Sequence, residues 1–117
     1  MGVTVGVDIG GTKIAVAVVD EDGLVVAQDR RKTPATDPTL IVDAVAESIQ
    51  ELKRDHAVEA VGVGAAGFVD AARRTVLFAP NIKWVDEPLA DRLEALVDLP
   101  VVIENDANAA AWGEFRF

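Results

Sequence analysis

Residues 8–13 carry side chains that could bind and orient a phosphate group. The segment is Asp8-Ile9-Gly10-Gly11-Thr12-Lys13, in which a glycine tip would let backbone N–H groups approach an anion. Thr12 adds a hydroxyl and Lys13 a cation, while Asp8 stands at a strand end, where a carboxylate could hold Mg²⁺ through water. A hairpin without any ligand explains the same residues equally well, because Gly-Gly turns are common.

A second candidate segment is Val101-Val102-Ile103-Glu104-Asn105-Asp106-Ala107-Asn108, where an apolar strand ends in polar side chains before a helix. Ligands of open α/β sheets bind at the carboxyl ends of strands. Asp106 would stand near a helix N-terminus, which favours its ionised form, and Asn105 offers a donor and an acceptor suited to hydroxyl groups. Ordinary helix capping accounts for the same two residues, since Asn and Asp are preferred there.

The string Gly62-Val63-Gly64-Ala65-Ala66-Gly67 matches the dinucleotide fingerprint Gly-x-Gly-x-x-Gly and follows a strand. The fingerprint must open a helix, but Pro80 cuts off the following segment and Arg73-Arg74 breaks its apolar stripe. A loop of small residues beside a ligand fits the string better. Asn81, which stands before Trp84, has by itself the character of a turn residue.

The elements that must position these segments can be predicted from apolar periodicity. Residues 3–9 and 12–19 predict two strands joined by a tight Gly10-Gly11 hairpin, in which both glycines can take positive φ, and residues 24–31 predict a third strand. The remaining predicted elements are a helix from Asp37-Pro38 to about Arg54, a strand at 58–65, a short hairpin within 68–78, a helix at 87–97, a strand at 100–103 and a helix at 106–115. This order predicts an α/β fold with a mixed five-stranded sheet and helices on both faces, the pattern of the ribonuclease-H-like, actin-type ATPase domain.

The composition fits one domain and excludes several classes of partner. The chain has 117 residues, of which 50% are hydrophobic, a formal net charge of −9 and no cysteine. Acidity spread along the chain argues against nucleic acid or an anionic membrane as partner, because phosphate groups need a basic footprint. The lack of cysteine excludes disulfides and thiolate metal sites. We expect a cytoplasmic protein, since neither a signal peptide nor a membrane-spanning apolar run is evident.

Four motifs, taken together and in this order, resemble the ROK family of sugar kinases and repressors, and within it the glucokinases of actinobacterial type. They are Asp-Ile-Gly-Gly-Thr-Lys at 8–13, Gly-Ala-Ala-Gly-Phe-Val-Asp at 64–70, Ala-Pro-Asn-Ile-x-Trp at 79–84 and Glu-Asn-Asp-Ala-Asn-Ala-Ala at 104–110. The resemblance covers the whole chain. It implies phosphorylation of a hexose at the 6-hydroxyl by ATP and Mg²⁺, with glucose as the expected sugar. Mannose, fructose and N-acetylmannosamine as the sugar, and polyphosphate as the phosphoryl donor, stay open.

The resemblance also implies roles for individual residues. Asp106 would be the general base that takes the proton from the sugar 6-hydroxyl. Sugar hydroxyls would be contacted by Gly67, Asn81 and Asn105. The phosphate-binding hairpin would consist of Asp8, Gly10, Gly11, Thr12 and Lys13, with Asp8 holding Mg²⁺ through water.

Members of this family have further motifs that residues 1–117 lack. These are a second Gly-rich phosphate loop, a Glu-x-Gly-His sugar-binding segment, a Cys-rich zinc motif and the adenosine pocket. We therefore expect residues 1–117 to be the N-terminal, smaller domain of a two-domain kinase, inactive alone, without the family's zinc site, and forming a homo-oligomer through residues 109–115. Two alternatives remain open: a sugar-sensing regulator without its DNA-binding part, and a dinucleotide-binding module built on Gly62 to Gly67.

Overall fold

The computed structural model describes residues 2–10, 12–34, 38–65, 68–69, 74–79 and 84–104. In chain order the elements are β1 Val3–Ile9, β2 Lys13–Val19, β3 Val25–Lys32, α1 Pro38–Lys53, β4 Val58–Ala65, β5 Phe68–Val69, β6 Val76–Ala79, β7 Trp84–Glu87, α2 Leu89–Val97 and β8 Val101–Glu104. The strand bounds predicted from the sequence for β1 and β4 are confirmed, β2 begins one residue later than predicted, and β3 and β8 both begin and end one residue later than predicted.

The main sheet has five strands in the order β3-β2-β1-β4-β8. Strand β2 runs antiparallel to both β1 and β3, which forms the predicted opening meander. Strand β4 runs parallel to β1, and β8 runs parallel to β4. The mixed five-stranded sheet predicted from the sequence is therefore confirmed, and three parallel strands lie next to one another in it.

One face of the main sheet is buried under α1 and α2. The neighbouring strands β1 and β4 present fully buried valines there, with Val5 opposite Val61 and Val7 opposite Val63. Helix α1 forms because apolar residues recur every four positions, which places them on one face of a 3.6-residue helix. The fully buried apolar residues of the two helices are Ile41, Val45, Ile49, Leu89, Ala90, Leu93 and Val97. Within the described residues, no helix combines the length and the apolar character needed to cross a membrane.

The two helices contact each other directly. Near the end of α1, the Gln50 side chain donates to the carbonyl of Leu96 at 2.6 Å and the Lys53 ammonium donates to the carbonyl of Val97 at 2.8 Å. Unpaired carbonyls and negative dipole charge at the end of α2 both favour such donors. The predicted third helix, at 106–115, lies outside the described residues, so helical cover of the second sheet face stays a prediction.

A buried hydroxyl joins α1 to the edge strand β3. Ser48 is fully buried and donates to the Asp29 carboxylate at 2.6 Å, and the Arg31 guanidinium donates to the same oxygen at 2.8 Å. The Ser48 hydrogen bond, followed by the Arg31 contact, lowers the pKa of Asp29 below its ordinary value of 3.8. The hydrogen bond that Arg31 donates to Asp29 in turn raises the pKa of Arg31.

A second, three-stranded sheet with the order β5-β6-β7 follows β4. Its antiparallel β5–β6 pair is the hairpin predicted within residues 68–78. Strand β7, however, was not predicted, and the helix expected to begin at Glu87 begins at Leu89 instead. Glu87 is the last residue of β7 and pairs with Val76. Pro88 is the N-cap of α2, so the strand ends and the helix begins on its two sides.

Candidate active site

The phosphate hairpin predicted from the sequence is a tight connection between β1 and β2. The strands pair up to Ile9 opposite Ile14, and the N–H of Gly10 donates to the carbonyl of Lys13 at 2.9 Å. Residues 11 and 12 therefore connect the last paired positions. Thr12 and Lys13 are both exposed, so a hydroxyl and a cation are open to solvent at this end of the sheet.

Gly10 does not use the conformational freedom that the sequence suggested for it. Among the described glycines only Gly23 has a positive φ, of 83°. Lack of room for a side chain is the reason for a glycine at position 10, because a Cβ there would lie 3.2 Å from the carbonyl oxygen of Lys13. The expectation that both central glycines adopt positive φ is thus wrong for Gly10, and Gly11 lies outside the described residues.

The carboxyl ends of the three parallel strands meet at the edge where this hairpin lies. Asp8 of β1 is in register with Gly64 of β4, and Gly64 is in register with Glu104 of β8. Asp8 alternates with Val7 and Ile9, which are buried under the helices, so its exposed carboxylate lies on the opposite face. The hairpin thus lies at the same edge of the sheet as Glu104, the residue that precedes Asn105 and Asp106 in the chain.

The exposed Asp8 carboxylate has the chemistry of a water-mediated Mg²⁺ ligand. Mg²⁺ keeps several waters and is commonly bound by one or two carboxylates together with substrate phosphates. Its neighbours in the sheet are Ala15 and Gly64, whose small size leaves room beside the carboxylate. In the part of the chain that the structure describes, no three His, Cys, Asp or Glu side chains cluster as a metal site. The chemistry of a single exposed carboxylate beside such small neighbours is compatible with a hydrated Mg²⁺ ion.

A basic cavity adjoins the hairpin and was not predicted from the sequence. It has a volume of about 520 Å³ and is lined by Thr12, Lys13, Arg30, Arg31 and Lys32. Lys13 pairs with Lys32 and Ala15 with Arg30, so the exposed cations at 13, 30 and 32 share the sheet face of Asp8. Alternation along β3 was the available signal, since residues 30 and 32 of one strand must point the same way. These cations make the surroundings of the hairpin attractive to anions.

The structure rules out the dinucleotide fingerprint that Gly62 to Gly67 suggested. Gly62 and Gly64 lie inside β4, where they pair with Gly6 and Asp8 of β1. Strand β4 is followed by strand β5, whereas the fingerprint requires a helix to begin at the glycines. The dinucleotide-binding alternative is therefore wrong for this segment.

Several predicted site residues lie outside the described residues, and their roles stay predictions. They are Gly11 of the hairpin, the sugar-contacting candidates Gly67, Asn81 and Asn105, and the candidate base Asp106. The proposed oligomer-forming segment, at 109–115, also lies outside them. The described members of the predicted site are Asp8, Gly10, Thr12 and Lys13, and the structure brings these four together at one end of the β1–β2 hairpin.

Two curated relatives of this chain are both sugar kinases. The chain is 57% identical to a glucokinase of Streptomyces coelicolor over 117 residues, which is 100% of this chain and 37% of the relative. It is 37% identical to an N-acetylmannosamine kinase of Yersinia pestis, over 99% of this chain and 40% of that relative. The chain thus spans about two-fifths of the length of these curated relatives.

A solved structure with the same fold is the ROK family glucokinase of Streptomyces griseus, determined in complex with glucose and AMPPNP. It superimposes with a TM-score of 0.87 at 59% identity, covering 99% of this chain and 37% of that one. The ribonuclease-H-like, actin-type ATPase fold predicted from the sequence is therefore confirmed. The family model for ROK matches residues 4–117. By this match over nearly the whole chain, and by the relatives just described, the protein belongs to the ROK family.

Proposed function

We propose that this chain is the N-terminal domain of a kinase that transfers the γ-phosphoryl group of ATP to the 6-hydroxyl of a hexose. The observation that carries the proposal is the shared edge of β1, β4 and β8, where Asp8, Gly64 and Glu104 stand in register. A phosphate-binding hairpin and the strand that leads to a candidate base end there together. Phosphoryl transfer needs little more from a protein than such alignment and charge stabilisation.

In this proposal the hairpin stabilises the charge of the transferred phosphoryl group. The exposed Thr12 hydroxyl and Lys13 ammonium supply a hydrogen-bond donor and a positive charge, and we expect the Gly11 N–H to add a backbone donor. Asp8 would hold Mg²⁺ through water, and the ion, when bound, would neutralise charge on the phosphate oxygens.

The sugar is activated by Asp106 and oriented by neighbouring polar groups in this proposal. Asp106 accepts the proton of the 6-hydroxyl, and a carboxylate within hydrogen-bond reach also aligns that hydroxyl for attack. Gly67, Asn81 and Asn105 contact the other hydroxyls. A sugar-sensing regulator would need no proton acceptor, so a base together with a phosphate hairpin favours the enzyme over the regulator.

Glucose is the sugar that the relatives favour. The glucokinase relative is 57% identical to this chain, whereas the N-acetylmannosamine kinase relative is 37% identical. The glucokinase structure with glucose and AMPPNP supports both the sugar and ATP as the phosphoryl donor. We propose that residues 1–117 alone do not turn over sugar, because closure of a second domain over the cleft completes such a site.

The test is the substitution Asp106→Asn in the natural gene product that carries this chain. Loss of a general base typically lowers kcat about 10²- to 10⁴-fold, and we expect the KM for glucose to change far less. Asp43→Asn is the matched control, because Asp43 is an exposed residue of α1. ADP release coupled to NADH oxidation measures both. Near-normal turnover of Asp106→Asn would remove the base from the proposal, and a parent protein that phosphorylates no hexose would overturn the proposal as a whole.

A further inference from the structure

Thr33 directly follows the last residue of β3, yet it contacts the hairpin between β1 and β2. Its hydroxyl donates to the carbonyl of Gly10 at 2.8 Å, and its N–H donates to the carbonyl of Thr12 at 2.9 Å. Thr33 is only 6% exposed, and it is one of two buried polar residues among those the structure describes, the other being Ser48. One residue thus binds the chain on both sides of the hairpin tip.

These two hydrogen bonds fix the orientation of two whole peptide units, and not only of the two carbonyls that accept them. A peptide unit is planar and trans, so fixing the direction of its carbonyl also fixes the direction of the N–H on the other side of the same bond. The held units are the ones that follow Gly10 and Thr12, and N–H groups in such a tip are the donors that an anion meets. The contact therefore acts on the part of the hairpin that would face a phosphate.

The hydroxyl is the contribution that is specific to threonine. Any residue except proline has a backbone N–H that could donate to the Thr12 carbonyl, but the bond to the Gly10 carbonyl is made by the side-chain hydroxyl. Two local features restrict the direction in which the Thr33 hydroxyl can point. Pro34 follows and favours an extended backbone at Thr33, and a β-branched side chain has few χ1 rotamers. The hydroxyl is therefore held in a defined direction before any ligand binds.

We propose that Thr33 is a positioning residue that sets the orientation of the phosphate hairpin for the phosphoryl donor. The proposal rests on the function proposed above, since it assumes that the hairpin binds the phosphates of the donor. Thr33 is buried behind the tip and acts through the backbone of Gly10 and Thr12. The sugar, which is proposed to bind near residues 67, 81 and 105, should not sense its loss directly.

Two substitutions separate the hydrogen bond from packing. Thr33→Val keeps the β-branch and the methyl group but removes the hydroxyl, while Thr33→Ser keeps the hydroxyl and removes the methyl group. In the natural gene product, loss of one buried hydrogen bond in Thr33→Val should raise the KM for ATP about five- to tenfold. We expect the KM for glucose to stay within about twofold of the parent value in both variants. In Thr33→Ser, the KM for ATP should remain near the parent value.

A second measurement does not depend on activity. Exchange of the Gly10 amide hydrogen, followed by NMR, should be about five- to tenfold faster in Thr33→Val than in the parent and near the parent rate in Thr33→Ser. If the parent phosphorylates no hexose, the proposed function fails, and this exchange pattern still decides whether Thr33 orients the hairpin. Equal behaviour of the two variants, or an equal rise in the KM values for glucose and ATP in Thr33→Val, would overturn the proposal.

Discussion

Glu94 of α2 accepts a hydrogen bond from the N–H of Val101, the first residue of β8, at 2.9 Å. The Arg74 guanidinium donates to the same carboxylate and, at 3.0 Å, to the carbonyl of Val101. Both backbone polar groups of Val101 are thereby satisfied on the side away from β4, at the edge of the main sheet. Since β8 leads directly towards Asn105 and Asp106, this contact holds in place the strand that precedes the candidate base.

The Arg74–Glu94 pair should make stability depend on pH. The Arg74 hydrogen bonds hold the pKa of Glu94 below its ordinary value of 4.5. A folded-state pKa below the unfolded-state value adds stability that is present above about pH 4.5 and is lost as the pH falls through the folded-state value. We expect the urea midpoint of the parent to fall from about pH 4.5 downwards. Glu94→Gln should lower the midpoint at neutral pH and flatten that fall.

The size of this effect is limited by solvent. The Arg74 and Glu94 side chains are 33% and 32% exposed, so we expect Glu94→Gln to cost about 1 kcal/mol at pH 7. Glu21→Gln is the matched control, because Glu21 is an exposed turn residue, and it should leave the midpoint unchanged. Equal pH profiles for the parent and Glu94→Gln would contradict the assignment.

The end of α2 offers a position where the protein can be stabilised. Asp98 has φ 55° and ψ 44°, the left-handed conformation that glycine adopts without strain, and its N–H donates to the carbonyl of Glu94 at 3.0 Å. Its negative charge also stands at the negative end of the helix dipole. Asp98→Gly should therefore raise stability by about 0.5–1 kcal/mol, measured as a higher Tm.

Two further variants separate the causes at this position. Asp98→Asn removes the charge but keeps the side chain, so it should give about half of the gain. Asp55→Gly is the matched control, because Asp55 follows α1 and its φ is not positive. That substitution also removes a negative charge near a helix C-terminus but adds freedom to the unfolded chain, so its gain should be well below that of Asp98→Gly. An equal gain in Asp55→Gly would show that conformation at Asp98 is not the reason.

Local sequence patterns predicted most of the helices and strands. They failed where a contact with a residue distant in the sequence determines the local structure. The Val-rich runs gave β1 and β4 their correct bounds because strand period and burial agree there. The spacing of Leu89, Leu93 and Leu96 suggested a helix that also included Glu87. Pairing of Glu87 with Val76 across the second sheet overrides that pattern.

In the candidate site, too, the residues with local signals were predicted and the residue with a long-range contact was missed. Asp8, Gly10, Thr12 and Lys13 were predicted because they are adjacent in the sequence and their chemistry is local. Thr33 was missed because its hydroxyl reaches a carbonyl 23 positions earlier in the chain, a contact that depends on the β2–β3 register. Such contacts exist only after the sheet forms, so no local pattern marks them.

Gly10 and Gly23 are required for different physical reasons, which a pair of substitutions can distinguish. A Cβ at Gly10 would lie 3.2 Å from the Lys13 carbonyl, so Gly10→Ala should push the hairpin apart by a few tenths of an ångström. Gly23 has φ 83° in the turn between β2 and β3, where alanine is strained. Gly23→Ala should cost about 1 kcal/mol of stability without affecting the site.

In the natural gene product, small displacements of a phosphate-binding backbone weaken alignment, so Gly10→Ala should raise the KM for ATP about three- to tenfold. Its urea midpoint should change less than that of Gly23→Ala, because Gly10 has no positive φ to lose. Gly23→Ala should lower the midpoint and leave the KM for ATP unchanged. Urea titration and steady-state kinetics on both variants give the comparison. The reverse pattern, with Gly10→Ala unstable but kinetically normal, would mean that the close approach of Gly10 to Lys13 maintains the fold rather than the phosphate site.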